Sequence, residues 1–327
     1  MSDSSRIQSY RRCGRSGLLL PPISLGLWQA LGSYRSEAEA RAVLLAAFER
    51  GIVHFDLANN YGSPAGASET LFGKVLKELP RHEVCISSKA GHLMWPGPYG
   101  TWCSRKHLIE SCEQSLQRLG VDHVDIFYIH RYDPETPLEE SLGAVEQLIR
   151  QGKALYAGLS NHADPHFTRA LGIVERKNWS PITIHQPRYS LLDRRAEKEV
   201  LPTAGTNGVG VAVFSPLEQG ILAGRYLHGI PADSRVAMGL GNGAMTPERL
   251  KEQTAKIEAA QRLAPLAARR GQTLAQLSLA WILKDPRITS VIIGASTVAQ
   301  LDDNLRCLSN TTFNSEELQD IDRACGI

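Results

Sequence analysis

The chain has 327 residues, 43% of them hydrophobic and 21% charged: enough apolar side chain for a sizeable core, and too much for a disordered segment. Its formal charge of +2 at pH 7 is too small to argue for nucleic acid, and no apolar run reaches the roughly 20 residues that a membrane-spanning helix needs. Cys13, Cys85, Cys103, Cys112, Cys307 and Cys325 are scattered without Cys-x-x-Cys pairs or metal-ligand spacing, which predicts reduced thiols, no bound metal and a cytoplasmic setting.

In chain order, residues 10–22 come first. Gly14 and Gly17 stand ahead of Pro21 and Pro22, a turn-rich stretch that predicts a hairpin capping the closed end of the fold. Arg11 and Arg12 before Leu18-Leu19-Leu20 suggest a signal peptide only until the two prolines cut the apolar run short. Eight apolar runs follow, near 23–27, 52–56, 84–88, 124–129, 154–159, 182–186, 209–214 and 289–293. Helical patterns lie between them, including 37–50, 105–119, 138–150 and 165–177. In the second of these Leu108, Ile109, Cys112, Leu116 and Leu119 recur at the spacing of one helix face. Strands alternating with helices imply right-handed parallel β-α-β units. Eight of them predict an α/β fold, a (β/α)8 TIM barrel of one domain over 1–327, with its site at the C-terminal ends of the strands.

Between the seventh and eighth strands lie roughly 75 residues, against about 25–40 for an ordinary crossover. This insertion holds a Gly-rich stretch at 239–243 and helical patterns at 247–270 and 273–284. Its length predicts a lid or binding strap; a disordered insertion is the alternative.

Four polar residues stand at or just past the ends of consecutive strands: Asp56, Tyr61, Lys89 and His130. Singly, each has an ordinary explanation: a helix N-cap for Asp56, a packed aromatic, a solvated lysine, a satisfied core histidine. Together on strands two to four they gather an acid, a phenol, a cation and an imidazole on one rim, which suits reduction of a carbonyl. A free tyrosine has a pKa of about 10, and an adjacent Lys89 ammonium is expected to lower it while Asp56 orients the lysine. A neutral His130 would then position the substrate oxygen. His54 and His185 lie within strands and are expected to face the core or the helices.

The dinucleotide fingerprint after the first strand is missing, so a nicotinamide cofactor must bind through loops after the later strands. Ser160, Asn161 and Gln186 offer what a carboxamide requires. Tyr189 or Phe214 offers a ring to stack on the nicotinamide. Gly294 and Ser296, ahead of a helix, offer an anion site.

Along nearly its full length the chain resembles the aldo-keto reductases, through Asp-Leu-Ala-Asn-Asn-Tyr-Gly at 56–62, Ser88-Lys89, His130 and Gly-Leu-Ser-Asn at 158–161. Ser215-Pro-Leu-x-x-Gly220, Gly224-Arg225-Tyr226, Gly229-Ile-Pro231 and Ser234-Arg235 are similar to the branch that includes the potassium-channel β subunits. Asn59-Asn60-Tyr61, the stretch Met-Trp-Pro-Gly-Pro-Tyr-Gly at 94–100 and Ser104-Arg-Lys106 are similar to the bacterial branch of L-glyceraldehyde 3-phosphate reductases. The resemblance implies NADPH-dependent reduction of small aldehydes, L-glyceraldehyde 3-phosphate or methylglyoxal among them; a homo-oligomer is an open expectation, and charge and apolar patterning predict no nucleic-acid or membrane partner. A regulatory subunit using bound NADPH as a redox signal, and a broad detoxification reductase, are the alternatives.

The resemblance also implies cofactor contacts for Trp28, Ser160, Asn161, Gln186, Ser215, Leu217, Gln219, Gly220, Arg235, Gly294, Ser296, Gln300, Asp303 and Asn304. Arg225 stands where related chains often carry lysine, which keeps the charge and changes its geometry. Either Arg225 or Arg235 would meet the 2′-phosphate, and the other the pyrophosphate.

Overall fold

Apolar strands alternating with amphipathic helices give a closed barrel of eight parallel strands in the computed structural model, which describes residues 7, 9–28, 35–227, 229 and 246–327. The chain divides into two compact units. One comprises Met1–Pro187, Arg195–Phe214 and Arg287–Leu301; the other comprises Arg188–Arg194, Ser215–Pro286 and Asp302–Ile327.

The first unit contains the whole barrel. Its strands are β3 (Ile23–Gly26), β4 (His54–Asp56), β5 (Cys85–Ala90), β6 (Val124–Ile129), β7 (Ala154–Ser160), β8 (Ile182–Gln186), β9 (Gly210–Val213) and β10 (Ile288–Ile293), with β10 closing on β3. The helices of this unit include α1 (Glu37–Glu49), α2 (Ala67–Leu76), α3 (Arg105–Leu119), α4 (Leu138–Arg150), α5 (His166–Arg176), α6 (Ala196–Glu199) and α7 (Leu201–Asn207). Their ends follow local chemistry. Ser36 and Glu39 form a capping box at the start of α1, Ser104 accepts from the His107 amide at the start of α3, and Gly120 ends α3 in the left-handed conformation at φ 68°. Each cap satisfies backbone groups that a helix end leaves unpaired.

The predicted hairpin is present as β1 (Arg11–Arg12) paired antiparallel with β2 (Leu19–Leu20). The Arg15 amide donates to the Gly208 carbonyl at 2.9 Å, and Arg11 Nη1 donates to the Ile288 carbonyl at 2.8 Å. Both carbonyls lie at strand starts, so the hairpin plugs the end of the barrel opposite Asp56, Lys89 and His130. Behind it Cys13, Leu20, Cys85, Ile126, Tyr128, Ile184, Ala212 and Ile292 fill the interior. Tyr128 fits because residue 158 is glycine: a Cβ there would lie 2.3 Å from the Tyr128 ring.

In the second unit, α8 (Pro247–Arg269), α9 (Leu274–Leu283) and α11 (Ser315–Cys325) carry out the helical patterns of the insertion and the C-terminal segment. Thr273 with Gln276 and Asn314 with Glu317 form capping boxes at α9 and α11. The Trp281 ring is covered by Tyr189 at 5.5 Å and by the Arg194 guanidinium at 4.3 Å. The Gly-rich stretch at 239–243 lies outside the described residues. Among the described residues no helix is long and apolar enough to cross a membrane.

Candidate active site

Strand alternation sets the site. In β5 the side chains of Cys85, Ser87 and Lys89 share one face, the interior one, while Ser88 points the other way and donates to the buried Glu69 carboxylate at 2.5 Å. Glu69 also pairs with Arg118 at 2.7 Å, which ties α2 and α3 behind the strand that carries Lys89. In β4, His54 and Asp56 likewise share the interior face.

The Lys89 ammonium is fully buried and donates to three oxygens, the number of its N–H bonds. These are Asp56 Oδ2 at 2.7 Å, the Leu57 carbonyl at 2.7 Å and Tyr61 Oη at 3.2 Å. Asp56 Oδ1 accepts from Ser87 Oγ at 2.7 Å and Gln186 Nε2 at 2.9 Å. Because Ser87 gives its proton to Asp56, it accepts from His54 Nε2 at 3.0 Å. His54 Nδ1 then accepts from Ser24 Oγ at 2.8 Å, and Ser24 accepts from Ser290 Oγ at 2.6 Å. A single-direction chain of four groups thus holds the carboxylate from below. Burial pushes His54 down to about 4, so it serves as a neutral link.

Burial works against the Lys89 charge, but the charge of Asp56, the Tyr61 phenol and hydrogen bonds to both outweigh it and raise its pKa. Tyr61 departs from expectation. Burial of its hydroxyl raises the phenol, and the Lys89 ammonium offsets only part of that rise. His130 conforms: burial, helped by Lys89, His92 and Arg131, drives it well below the ordinary imidazole value. Its ring stands edge-on to Tyr61 at 5.9 Å and to His92 at 4.4 Å, and its Nδ1 is buried without a partner among the described residues.

The other site residues fare differently. Ser160 Oγ donates to the Gln186 carbonyl at 2.9 Å. Asn161, left-handed at φ 57°, donates through Nδ2 to the His130 carbonyl at 3.0 Å and to Ser160 Oγ at 3.1 Å. The expected donors are therefore already engaged, and the Asn161 carbonyl oxygen is its remaining polar end. Phe214 is half-buried at the end of β9, whereas Tyr189 is 1% exposed and packed on Trp281. Tyr189 is therefore a core aromatic and not a stacking ring. The Ser296 amide, expected to meet an anion, donates to Gln300 Oε1 at 2.9 Å just ahead of α10 (Val298–Leu305). Gly294 is exposed, and Trp28 is 37% exposed after β3.

In the second unit, Asp303 is occupied by α9: Gln276 Nε2 donates to its Oδ1 at 2.8 Å. Asn304 is buried and Arg225 exposed; Arg235 lies outside the described residues. Ser215, Glu218, Gln219 and Gly220 all have positive φ, from 46° to 104°, so the turn carrying Leu217 is strained at three non-glycine positions. Sequence reasoning passed over its anchor, Glu218. This buried carboxylate accepts from Arg188 at 2.7 Å, Lys256 at 3.2 Å and Ser190 at 2.8 Å. Ser87, His92 and Arg131 were passed over too, although alternation from Lys89 points to Ser87.

A sequence model described as the aldo/keto reductase family matches residues 22–325. The chain is 48% identical over 319 residues to a protein of Escherichia coli (strain K12) named L-glyceraldehyde 3-phosphate reductase, covering 96% of this chain and 91% of that one. It is 37% identical over 310 residues to a putative voltage-gated potassium channel subunit beta of Schizosaccharomyces pombe, covering 91% and 88%. A probable voltage-gated potassium channel subunit beta of Arabidopsis thaliana is 35% identical over 309 residues, covering 91% and 90%. With a barrel closed on a hydrogen-bonded Asp-Lys-Tyr set and a family match over nearly its whole length, the chain belongs to the aldo/keto reductase family of oxidoreductases.

Proposed function

We propose that the protein reduces small aldehydes to alcohols with NADPH, taking L-glyceraldehyde 3-phosphate or methylglyoxal, with Tyr61 as the general acid. The observation that carries this reading is the Lys89 ammonium bonded at once to Asp56 and to Tyr61. A bound nicotinamide supplies the hydride.

The protein's own residues handle the proton. With its pKa raised by burial, Tyr61 keeps its proton at neutral pH and is a neutral donor. When the proton moves to the developing alkoxide, the phenolate left behind lies 3.2 Å from Lys89. The ammonium thus stabilises a charge that exists only as the reaction proceeds, which is where stabilisation accelerates it. Asp56 holds Lys89 charged and in place. A neutral His130, with Nδ1 unpartnered among the described residues, would orient the substrate oxygen by donating from an N–H on Nε2.

Residues of the first unit suit the cofactor's polar ends. The Asn161 carbonyl oxygen can accept from a carboxamide. The Ser296 amide, now bonded to an acceptor oxygen of Gln300, has the polarity that a phosphate oxygen needs. The relatives named as channel subunits favour a second reading, a regulatory protein that binds NADPH without turnover; the complete Asp-Lys-Tyr set speaks against it.

Tyr61→Phe tests the reading, because it removes the hydroxyl and keeps the ring. We expect kcat to fall about 10²–10⁴-fold, the usual contribution of general acid catalysis, while the NADPH Kd stays within about twofold. A variant that keeps more than roughly a tenth of wild-type kcat takes Tyr61 out of the mechanism.

A further inference from the structure

One strong cation at the lip of the site makes no ion pair among the described residues, and Asp133 acts on it only through space. Arg131 follows His130 directly. Its Nε donates to the Gly91 carbonyl at 2.9 Å and its Nη2 to Thr101 Oγ1 at 3.0 Å. The guanidinium carbon lies over the Trp102 indole, 3.6 Å from the ring centre. Trp102 is itself held in the left-handed region at φ 67°, with its amide on the same Gly91 carbonyl at 3.0 Å. Both hydrogen-bond partners of Arg131 are neutral, and no carboxylate lies within ion-pair distance among the described residues.

The nearest acid in sequence is committed elsewhere. Asp133 accepts from the amides of Cys103, Glu135 and Thr136 at 2.9, 3.0 and 3.2 Å, so backbone donors hold it and it gives Arg131 no hydrogen bond. The other charges around the reacting groups cancel. Lys89 is balanced by Asp56, and His92 and His130 are neutral, His92 being pushed down to about 4 chiefly by burial. What remains next to the proposed proton donors is the Arg131 charge, which Asp133 offsets only through space and without an ion pair. The closeness is direct: a Cβ on Gly91 would lie 3.4 Å from His130 Cβ and 3.6 Å from Arg131 Cγ, and His92 follows Gly91 with its ring 4.4 Å from that of His130.

A guanidinium pre-set by stacking and two neutral acceptors keeps part of its donor fork for a ligand, and such a fork matches a phosphate or carboxylate. We propose that Arg131, carried on the Trp102 indole, is a specificity-determining residue that binds the anionic end of the substrate and selects phosphorylated aldehydes over neutral ones. This rests on the reductase reading given above and adds to it the residue that distinguishes the substrates. It also favours a phosphorylated triose over methylglyoxal, which has no anionic end to offer.

The test compares glyceraldehyde 3-phosphate with glyceraldehyde, using NADPH and three forms of the full chain: wild type, Arg131→Met and Arg131→Lys. Methionine keeps an apolar stem over Trp102; lysine keeps the charge and loses the fork. We expect the ratio of kcat/KM for the phosphorylated aldehyde to that for the plain one to fall at least about tenfold in Arg131→Met, mainly through KM, as loss of a charge-assisted hydrogen bond predicts. Arg131→Lys should recover part of the ratio. An unchanged ratio, whether both substrates suffer equally or neither does, overturns the proposal, because a merely structural arginine affects both alike. Binding of glycerol 3-phosphate, which has no carbonyl to reduce, is measured in parallel by calorimetry. If wild type reduces neither aldehyde, the reductase reading fails and this second measurement still decides. Binding lost in Arg131→Met supports the anion site; binding that is absent in wild type or unchanged in the variant removes it.

Discussion

At the scale of single residues, burial decides more than neighbouring charge does. Tyr61 shows this: an ammonium at 3.2 Å is expected to lower a phenol, yet desolvation is the larger effect and the net direction is upward. The buried histidines obey the same rule. Burial holds His54 and His162 at about 4 and His185 at about 3, against an ordinary value near 6.5. Each is neutral in the fold and protonated in the unfolded chain between those values. Their contribution to stability is therefore complete above about pH 6.5 and is lost as pH falls toward the folded pKa. At a cost of 1.36 kcal/mol per pKa unit, each accounts for on the order of 3 kcal/mol by pH 4. Urea titrations from pH 7 to pH 4 should show this slope, and His185→Gln should flatten it by one histidine's share. An identical slope in the variant would mean that His185 is not held neutral.

At the scale of elements, periodicity made the strands and helices legible, and also the placement of the four candidate residues at or just past strand ends. The prediction of 105–119 as a helix matches α3 residue for residue, because its apolar face and its Ser104 and Gly120 caps agree. What periodicity did not reveal is partnership across the fold. The pairing of Ser87 with Asp56, of Glu69 with Ser88 and Arg118, and of Glu218 with Arg188 and Lys256 joins residues far apart in the chain, and no local pattern encodes such a pair. Tyr189 failed for a similar reason: position after a strand does not say whether a ring meets a ligand or Trp281. Glu218 carries the clearest consequence. Removing one partner of a buried charge cluster leaves the others uncompensated, at about 3–5 kcal/mol. Glu218→Ala should lower unfolding free energy by that order in denaturant titration, since Arg188 and Lys256 then lose their shared carboxylate. A loss below about 1 kcal/mol, the range of a surface ion pair, would show that the cluster does not anchor the strained turn at 215–220.

At the scale of the whole molecule, the barrel divides its labour between two ends. The hairpin and the apolar cluster around Tyr128 close one end. The strand ends at the other hold the Asp56-Lys89-Tyr61 set above the Ser290-Ser24-His54-Ser87 chain. The family was readable from motifs in order, and the substrate was not: Arg131, to which we assign the selection among aldehydes, belongs to none of the motifs. The central claim is that this arrangement performs aldehyde reduction and does not merely bind a nucleotide. Its most direct test is NADPH oxidation by the purified chain against L-glyceraldehyde 3-phosphate, methylglyoxal and unphosphorylated aldehydes. The account predicts turnover in the ordinary enzymatic range of about 1–10³ s⁻¹, with the highest kcat/KM for the phosphorylated triose. Tight NADPH binding with negligible oxidation by every aldehyde would contradict it.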